Sequence, residues 1–353
     1  MRLLSRHVAS STSGAVLLVL MVIVALDAIG AIYDGSGDLR NNYTFFQMLK
    51  YVGLTLPARI YENIPISALI GCLMGLGVLA NNSELTVMRA AGVSVQRVVW
   101  FVLKPVLWLV LFGTLFGEYV VPHTDQLAQS HRMLLRSGVT AQEAGSGLWN
   151  REGNEFMHLN AVYPGGVLFG VTRYRFDERR QIQQVSFSER ASYQGGYWLE
   201  ENGVVTHFLP GKTTTESFVT RRWDTALSPD LLHLVVMPPD SLAIMSLHGY
   251  MDYLDDQGRD SKVYRLAFWE KLLQPLTITS LVLVAISFVF GPLRSVTMGY
   301  RVFAGVIVGV VFRITQDLLG PASIVFGFSP LIAVLLPALV LAIVGLLLLK
   351  KAG

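Results

Sequence analysis

Phosphate chemistry is suggested most strongly by Gly211, Lys212 and Thr213, which match the end of a nucleotide-binding loop. The complete motif also needs a glycine five residues before its second glycine, and position 206 is threonine. The flanking residues favour strands, so no helix N-terminus would face a phosphate there. The sequence therefore predicts a hairpin turn, and any ATP would be bound and hydrolysed by a partner rather than by this chain.

Patterns typical of other catalytic sites are also missing from the sequence. It has no His-Glu-x-x-His zinc motif and no Gly-x-Ser-x-Gly nucleophile turn, and its single cysteine, Cys72, cannot form an internal disulfide. We therefore predict a protein that is not an enzyme, with no catalytic, cofactor-binding or metal-binding residues. The net charge of +3 gives no indication of nucleic-acid binding.

Charged residues inside apolar segments are the best candidates for a binding site, because a charge within a membrane usually faces a bundle interior or a wet cavity. Most of these residues fall near the external ends of the predicted spans. We predict that six of them line a polar substrate vestibule: Asp27, Arg59, Glu62, Lys271, Arg313 and Asp317. Two alternatives stay open, since long side chains can reach the interface and Arg313 and Asp317 can pair with each other across one helical turn.

A short polar connection between two apolar segments, at about residues 82–91, is predicted to form a helix that docks on a cytoplasmic partner. Asn82 or Ser83 can cap its start, and Gly92 can end it. The predicted docking residues combine apolar and charged side chains: Ser83, Glu84, Leu85, Met88, Arg89, Ala91 and Gly92. The alternative is an ordinary capped turn at the membrane surface.

The composition separates the chain into membrane segments and one polar block. Of the 353 residues, 52% are hydrophobic and only 15% are charged, whereas soluble domains are about a quarter charged. Residues 122–262 contain 30 of the 53 charged residues. Six apolar segments are long enough to cross a bilayer: Ala15–Tyr33, Ile64–Ala80, Val98–Val121, Leu272–Leu293, Val302–Leu319 and Leu331–Leu349. These features exclude a single soluble enzyme, a disordered chain and a secreted disulfide scaffold.

The distribution of Lys and Arg in the short flanks predicts the orientation of the spans. With the N-terminus inside, the cytoplasmic segments contain Arg2, Arg6, Arg89, Arg97, Arg294, Arg301, Lys350 and Lys351. The short external loops contain only Arg40 and Lys50. We therefore predict a multi-pass membrane protein with both termini in the cytoplasm and the polar block on the external side.

The polar block is predicted to be an all-β domain without an internal helix. Short β-branched or aromatic runs alternate with Gly, Asn and Pro turns, as in Val167–Val171, Gly196–Leu199, Val204–Phe208 and Leu231–Met237. Seven or eight such strands favour a jelly-roll-like sandwich. The predicted fold is a polytopic α-helical membrane protein with six transmembrane helices and this inserted domain. Its parts are 1–121 (three spans), 122–240 (β domain), 241–262 (amphipathic helix) and 263–353 (three spans).

Four stretches carry a resemblance to a known family. The stretch Asn81–Gly92 (NNSELTVMRAAG) resembles the coupling segment of the LptF/LptG permeases, the paired membrane subunits of the Gram-negative lipopolysaccharide exporter. The similarity continues at Gly117–Pro122 (GEYVVP), Phe268–Pro275 (FWEKLLQP) and Gly291–Arg301 (GPLRSVTMGYR). One departure is that the first span of some members carries a lysine near its outer end, where this chain reads Asp27 to Tyr33 without one.

The resemblance implies a permease subunit of an ABC-type exporter that extracts lipopolysaccharide from the outer leaflet of the inner membrane. It implies three protein partners: an LptF-like permease that completes a heterodimer, a dimeric cytoplasmic ABC ATPase that uses the ATP, and an LptC-like single-span protein whose β domain continues the bridge toward the outer membrane. From the residues alone, a non-transporting anchor or receptor and a lipid-modifying membrane enzyme remain as alternatives.

Overall fold

The computed structural model describes residues 2–37, 43–136, 148–163, 166–225, 227–229, 232, 238–256, 258–291 and 296–352. The chain forms two compact units. The helical unit comprises Met1–Ala31, Leu56–Pro122 and Pro239–Gly353, and the second unit comprises Ile32–Thr55 with His123–Pro238. The predicted Leu231–Met237 strand lies outside the described residues except for Leu232.

Nine α-helices lie within these described residues. In chain order they are α1 Arg2–Ser36, α2 Phe45–Asn81, α3 Glu84–Ala90, α4 Val95–Tyr119, α5 Val121–Arg136, α6 Ile244–Asp256, α7 Lys262–Phe290, α8 Met298–Phe326 and α9 Pro330–Ala352. Six of them, α1, α2, α4, α7, α8 and α9, are long and apolar enough to cross a membrane, which confirms the predicted number of spans. Several exceed the roughly 20 residues that the hydrocarbon core requires.

The helical unit is built around α2 and α7, whose apolar windows are the most buried of the six. The side chains of Leu69, Cys72, Leu73 and Leu76 on α2 are completely buried. A β-carbon added at Gly71 would lie 2.4 Å from the backbone Cα of Val16 on α1. Two helices can approach this closely only where one of them has no side chain, so Gly71 fixes where α1 crosses α2.

The second unit contains a six-stranded antiparallel sheet with the order β1-β2-β3-β4-β5-β6. Its strands are β1 Leu148–Glu152, β2 Glu155–Tyr163, β3 Val167–Phe176, β4 Ile182–Tyr193, β5 Trp198–Leu209 and β6 Lys212–Trp223. Leu209 pairs with Lys212, so Pro210 and Gly211 form the turn between β5 and β6. Gly211 has a φ of +74°, a conformation that glycine adopts at little cost. The predicted hairpin at the Gly-Lys-Thr stretch is confirmed.

The inserted β domain is confirmed, but its details differ from the prediction. Of the runs predicted as separate strands, Val204–Phe208 and the last two residues of Gly196–Leu199 belong to the single strand β5, which continues through Asn202 in a left-handed conformation. In the described part of the sheet, each strand pairs with its neighbours in sequence, as in a meander. A jelly roll would instead divide its strands between two sheets.

The prediction that this block has no internal helix is wrong, because Val121–Arg136 forms α5. The amphipathic helix after the sheet is confirmed, although it is shorter than predicted. In α6, Leu247, Tyr250, Met251 and Leu254 face inward at helical spacing.

One face of the sheet combines an apolar cluster with a buried ion pair. Trp198 is fully buried, and its indole donates a hydrogen bond to the carbonyl of Leu227 at 2.7 Å. Nearby, the guanidinium of Arg173 binds both carboxylate oxygens of Glu200, at 3.1 and 2.8 Å. Its third nitrogen donates to Glu155 at 2.8 Å. This charge network ties β2, β3 and β5 together.

Candidate functional site

The helical unit contains an open cavity of about 580 Å³ lined by α1, α2, α7, α8, the first residue of α5 and the turn Pro239–Ser241. Within the four long helices, the lining residues are Asp27 of α1 and residues within 58–66 of α2, 267–281 of α7 and 309–317 of α8. Since these helices alternate in direction, the four segments lie at the same end of the bundle. It is also the end at which the chain leaves the helical unit after Pro122 and returns at Pro239.

Five of the six predicted vestibule residues line this cavity: Asp27, Glu62, Lys271, Arg313 and Asp317. The sixth, Arg59, is not a lining residue, but its Nη1 lies 3.0 Å from Oδ2 of Asp27. Arg59 therefore joins α2 to the last third of α1 through a residue that lines the cavity. The structure thus brings together residues that are nearly 300 positions apart in the sequence.

Lys271 has a fixed position within the cavity wall. Its ammonium donates a 2.6 Å hydrogen bond to the carbonyl of Leu242 and lies 5.6 Å from the centre of the Tyr61 ring. The residue is only 6% exposed. These contacts indicate that Lys271 holds the segment before α6 against α7.

Arg313 and Asp317 form the intrahelical pair that their spacing predicted, with Nε and Oδ2 3.3 Å apart. Their side chains are 55% and 62% exposed in the isolated chain. Both side chains line the cavity, so the Arg313 guanidinium is accessible to a molecule inside it. The guanidinium can bind a phosphate through two nitrogens at once.

The cavity also contains polar residues outside the predicted set. They are the carboxylates Asp240 and Glu270, the amides Asn63, Gln274 and Gln316, and the hydroxyl groups of Tyr61, Ser241 and Thr277. Glu270 lies at an outer span end in the sequence, whereas Asp240 follows two prolines and nothing local indicates that it turns inward. With Asp27, Glu62 and Asp317, the lining has five carboxylates and only two cations, Lys271 and Arg313. Within the described residues, no group of three or more His, Cys, Asp or Glu side chains could hold a metal.

At the opposite end of α2, the predicted docking segment forms the short helix α3. Its C-terminus follows the prediction: Gly92 has a φ of +84°, its N–H donates to the carbonyl of Arg89, and Val93 donates to Met88. The N-terminus of α3 differs from the prediction, because Ser83 adopts a left-handed conformation and its side chain makes no capping hydrogen bond. Asn82 instead donates to the carboxylate of Glu84 at 3.3 Å.

Leu85 and Met88 are 5% and 6% exposed and pack into the core of the helical unit. This corrects their predicted place in a docking face, since buried side chains cannot reach a partner. They anchor α3 to its own chain. Glu84 remains partly accessible, and Ala91 and Gly92 are exposed.

Glu84 is held by α1 as well as by its own segment. Nε2 of His7 lies 2.7 Å from Oε2 of Glu84. The hydrogen bond from His7, followed by the one from Asn82, holds the pKa of Glu84 below its ordinary value. Glu84 therefore presents a carboxylate at neutral pH in a fixed position beside the start of α1.

This architecture defines a multi-pass membrane protein with an inserted β sheet, an internal polar cavity and a short helix at the opposite end of the bundle. A family model described as "Lipopolysaccharide export system permease LptF/LptG" matches residues 6–351. The Lipopolysaccharide export system permease protein LptG of Escherichia coli K12 is 34% identical over 355 residues, covering 99% of this chain and 98% of that protein. Its Haemophilus influenzae counterpart is 32% identical over 339 residues, covering 95% of each.

The chain belongs to the LptF/LptG family of lipopolysaccharide export permeases. The two relatives are both named LptG, which confirms the resemblance found in the sequence. Together with the six apolar helices, this family membership makes it a multi-pass inner-membrane protein.

Proposed function

We propose that this chain is a permease subunit that extracts lipopolysaccharide from the outer leaflet of the inner membrane and passes it to a periplasmic β-domain bridge. Hydrolysis of ATP in a separate cytoplasmic subunit drives the step. The observation that carries the proposal is that a single helix, α2, connects the cavity to the short helix α3. Its first half lines the cavity, and its C-terminal end leads directly into α3.

The cavity is too small to hold a whole glycolipid, which supports the participation of a second permease subunit. Cavities of roughly 300–1,000 Å³ enclose drug-sized ligands, and a glycolipid with several acyl chains is much larger. An LptF-like permease would enlarge the site, a dimeric ABC ATPase would bind α3, and an LptC-like β-domain protein would receive the lipid.

Large apolar side chains are exposed along α1 and α8, among them Met21, Leu26, Phe303 and Ile314, and a membrane partner or lipid would cover them.

The proposed orientation places α3 in the cytoplasm and the cavity near the periplasmic surface. The excess of Lys and Arg on the side of the termini supports it. In this orientation the cavity opens at the level of the outer leaflet, where the lipid would enter, and the β sheet lies in the periplasm. The chain itself would bind no nucleotide.

Replacing Glu84 with alanine is expected to lower recovery of the ATPase subunit, or lipid release per ATP, at least about tenfold, as when a charged contact is removed from an interface. Co-purification in detergent and an ATPase assay on the complex measure both effects. The permease purified without the ATPase should hydrolyse no ATP.

His7→Gln is the matched control for Glu84→Ala. It removes the contact between the imidazole of His7 and Glu84 but leaves the carboxylate available to a partner. If Glu84 binds the ATPase, His7→Gln should assemble normally. Equal loss in both variants would show that Glu84 acts only by holding α1, and wild-type behaviour of Glu84→Ala would remove it from the docking site.

Arg313→Gln is expected to weaken photo-crosslinking of lipopolysaccharide to neighbouring cavity positions, because the guanidinium would bind an anionic head group. Asp317→Asn should leave crosslinking unchanged or strengthen it, since it frees Arg313 from its intrahelical partner. Crosslinking is measured per folded molecule. Equal loss of folded protein in the two variants, with unchanged crosslinking per folded molecule, would show that Arg313 serves only the ion pair.

A further inference from the structure

We propose that Arg301 is a positioning residue that joins the coupling end of α2 to α8, so that α2 and α8 carry a displacement of α3 to the cavity as one body. This inference rests on the proposed function, in which α3 receives the force of ATP hydrolysis. It assigns a role to a buried cation that belongs to neither the cavity nor α3.

Arg301 lies in the first turn of α8 and is 2% exposed. Its Nη1 donates to the backbone carbonyl of Gly77 at 3.2 Å and to Oδ1 of Asn81 at 3.3 Å. Asn81 is the last residue of α2, three positions before Glu84. Because a buried guanidinium is costly unless its hydrogen bonds are made, these contacts resist separation of the two helix ends.

The contact continues along α8 through two glycines on the same face as Arg301. A β-carbon at Gly305 would lie 2.3 Å from Cδ1 of Leu73, and one at Gly309 would lie 2.7 Å from Cγ1 of Ile66. Positions four apart lie on one face of a helix, so Arg301, Gly305 and Gly309 form a continuous stripe against α2. The stripe ends in the cavity, since Gly309 and Ile66 both line it.

The stripe connects the start of α8, which contacts the end of α2, to the part of α8 that lines the cavity. Arg313 and Asp317 lie 12 and 16 residues beyond Arg301, or about 18 and 24 Å along the helix. Other faces of α8 carry exposed apolar side chains, including Phe303, Ile307 and Val311. Since packed interiors compress little, movement of Asn81 would be transmitted to Arg301 and on to the cavity wall instead of being absorbed between the helices.

The test measures ATP hydrolysis and ATP-dependent lipopolysaccharide release in the same reconstituted complex. Arg301→Gln is expected to assemble and to hydrolyse ATP at a rate close to that of the wild type. Lipid released per ATP should fall at least about fivefold, the lower range of coupling effects between sites. Arg301→Lys, which keeps the charge and can donate to the same carbonyls, should recover part of the loss.

Gly305→Ala and Gly299→Ala form a matched pair that does not depend on the folding of the Arg301 variant. A β-carbon at Gly305 meets Leu73, whereas one at Gly299 meets nothing within 4 Å. Only Gly305→Ala should lower the lipid released per ATP.

Two results would overturn the proposal. One is a proportional fall of hydrolysis and release in Arg301→Gln, which would indicate a structural role only. The other is an unchanged ratio in both Arg301→Gln and Gly305→Ala. Failure of the proposed function is separate, because the wild-type complex would then release no lipopolysaccharide on addition of ATP.

Discussion

Replacing Glu200 with glutamine is expected to destabilise the β sheet by about 3 kcal/mol, the lower end of the 3–5 kcal/mol typical when one partner of a buried ion pair is removed. The side chains of Arg173 and Glu200 are only 3% and 1% exposed. Glutamine would leave the guanidinium buried without its bidentate carboxylate. We expect the lower end of that energy range because Arg173 keeps its contact with Glu155. Denaturant unfolding monitored by the fluorescence of Trp198 and Trp223 measures the change.

Glu201→Gln is the control for this variant, since it changes the same side chain one position along β5. Glu201 is about one-third exposed and lies 3.9 Å from Arg190, so its replacement should cost little. A double replacement of Arg173 and Glu200 by apolar residues should cost less than Glu200→Gln, because no charge is left unpaired. Equal stability of Glu200→Gln and Glu201→Gln would contradict the role assigned to the buried pair.

Gly71→Ala is expected to destabilise the helical unit by about 1–3 kcal/mol or more, the usual cost of overpacking a filled interior. The added methyl group would lie 2.4 Å from Cα and 2.7 Å from the backbone nitrogen of Val16. Backbone atoms cannot rotate away as a side chain can, so α1 would have to move away from α2. The apparent melting temperature of the purified protein, and its recovery as a single species in gel filtration, should both fall.

Gly14→Ala provides the comparison within α1. A β-carbon there meets nothing within 4 Å, and alanine in a helix is favoured over glycine by about 1 kcal/mol. The two Gly-to-Ala changes should therefore have opposite signs. A Gly71→Ala protein as stable as the wild type would show that α1 and α2 do not cross as closely as described.

The sequence predicts best what depends on local or strongly periodic signals. The six spans follow from long and predominantly apolar segments, and the end of α3 follows from the stop at Gly92. The hairpin at Gly211 follows from turn residues between alternating strands. In each case the relevant interaction lies within a few residues, or the membrane imposes it along the whole segment.

Other features depend on contacts between distant parts of the chain, which composition and spacing do not reveal. Asp240 enters the cavity because the turn Pro239–Ser241 lies against α7, where Lys271 holds the carbonyl of Leu242. Leu85 and Met88 read as an exposed docking face, yet they pack inward because α3 lies against the core. Two predicted strands merge into β5 because Asn202 tolerates a left-handed conformation that continues the strand instead of ending it.

The central claim, that this chain holds lipopolysaccharide in its cavity and releases it when a partner hydrolyses ATP, can be tested by one crosslinking measurement. A photo-crosslinking amino acid replaces Gln316 in the cavity or, as a control, Trp108, which is 73% exposed on α4. In the assembled complex, the cavity position should crosslink to lipopolysaccharide, and this signal should fall on addition of ATP while the signal from position 108 does not. Absence of crosslinks from position 316, or a signal there that ATP leaves unchanged, would contradict the account.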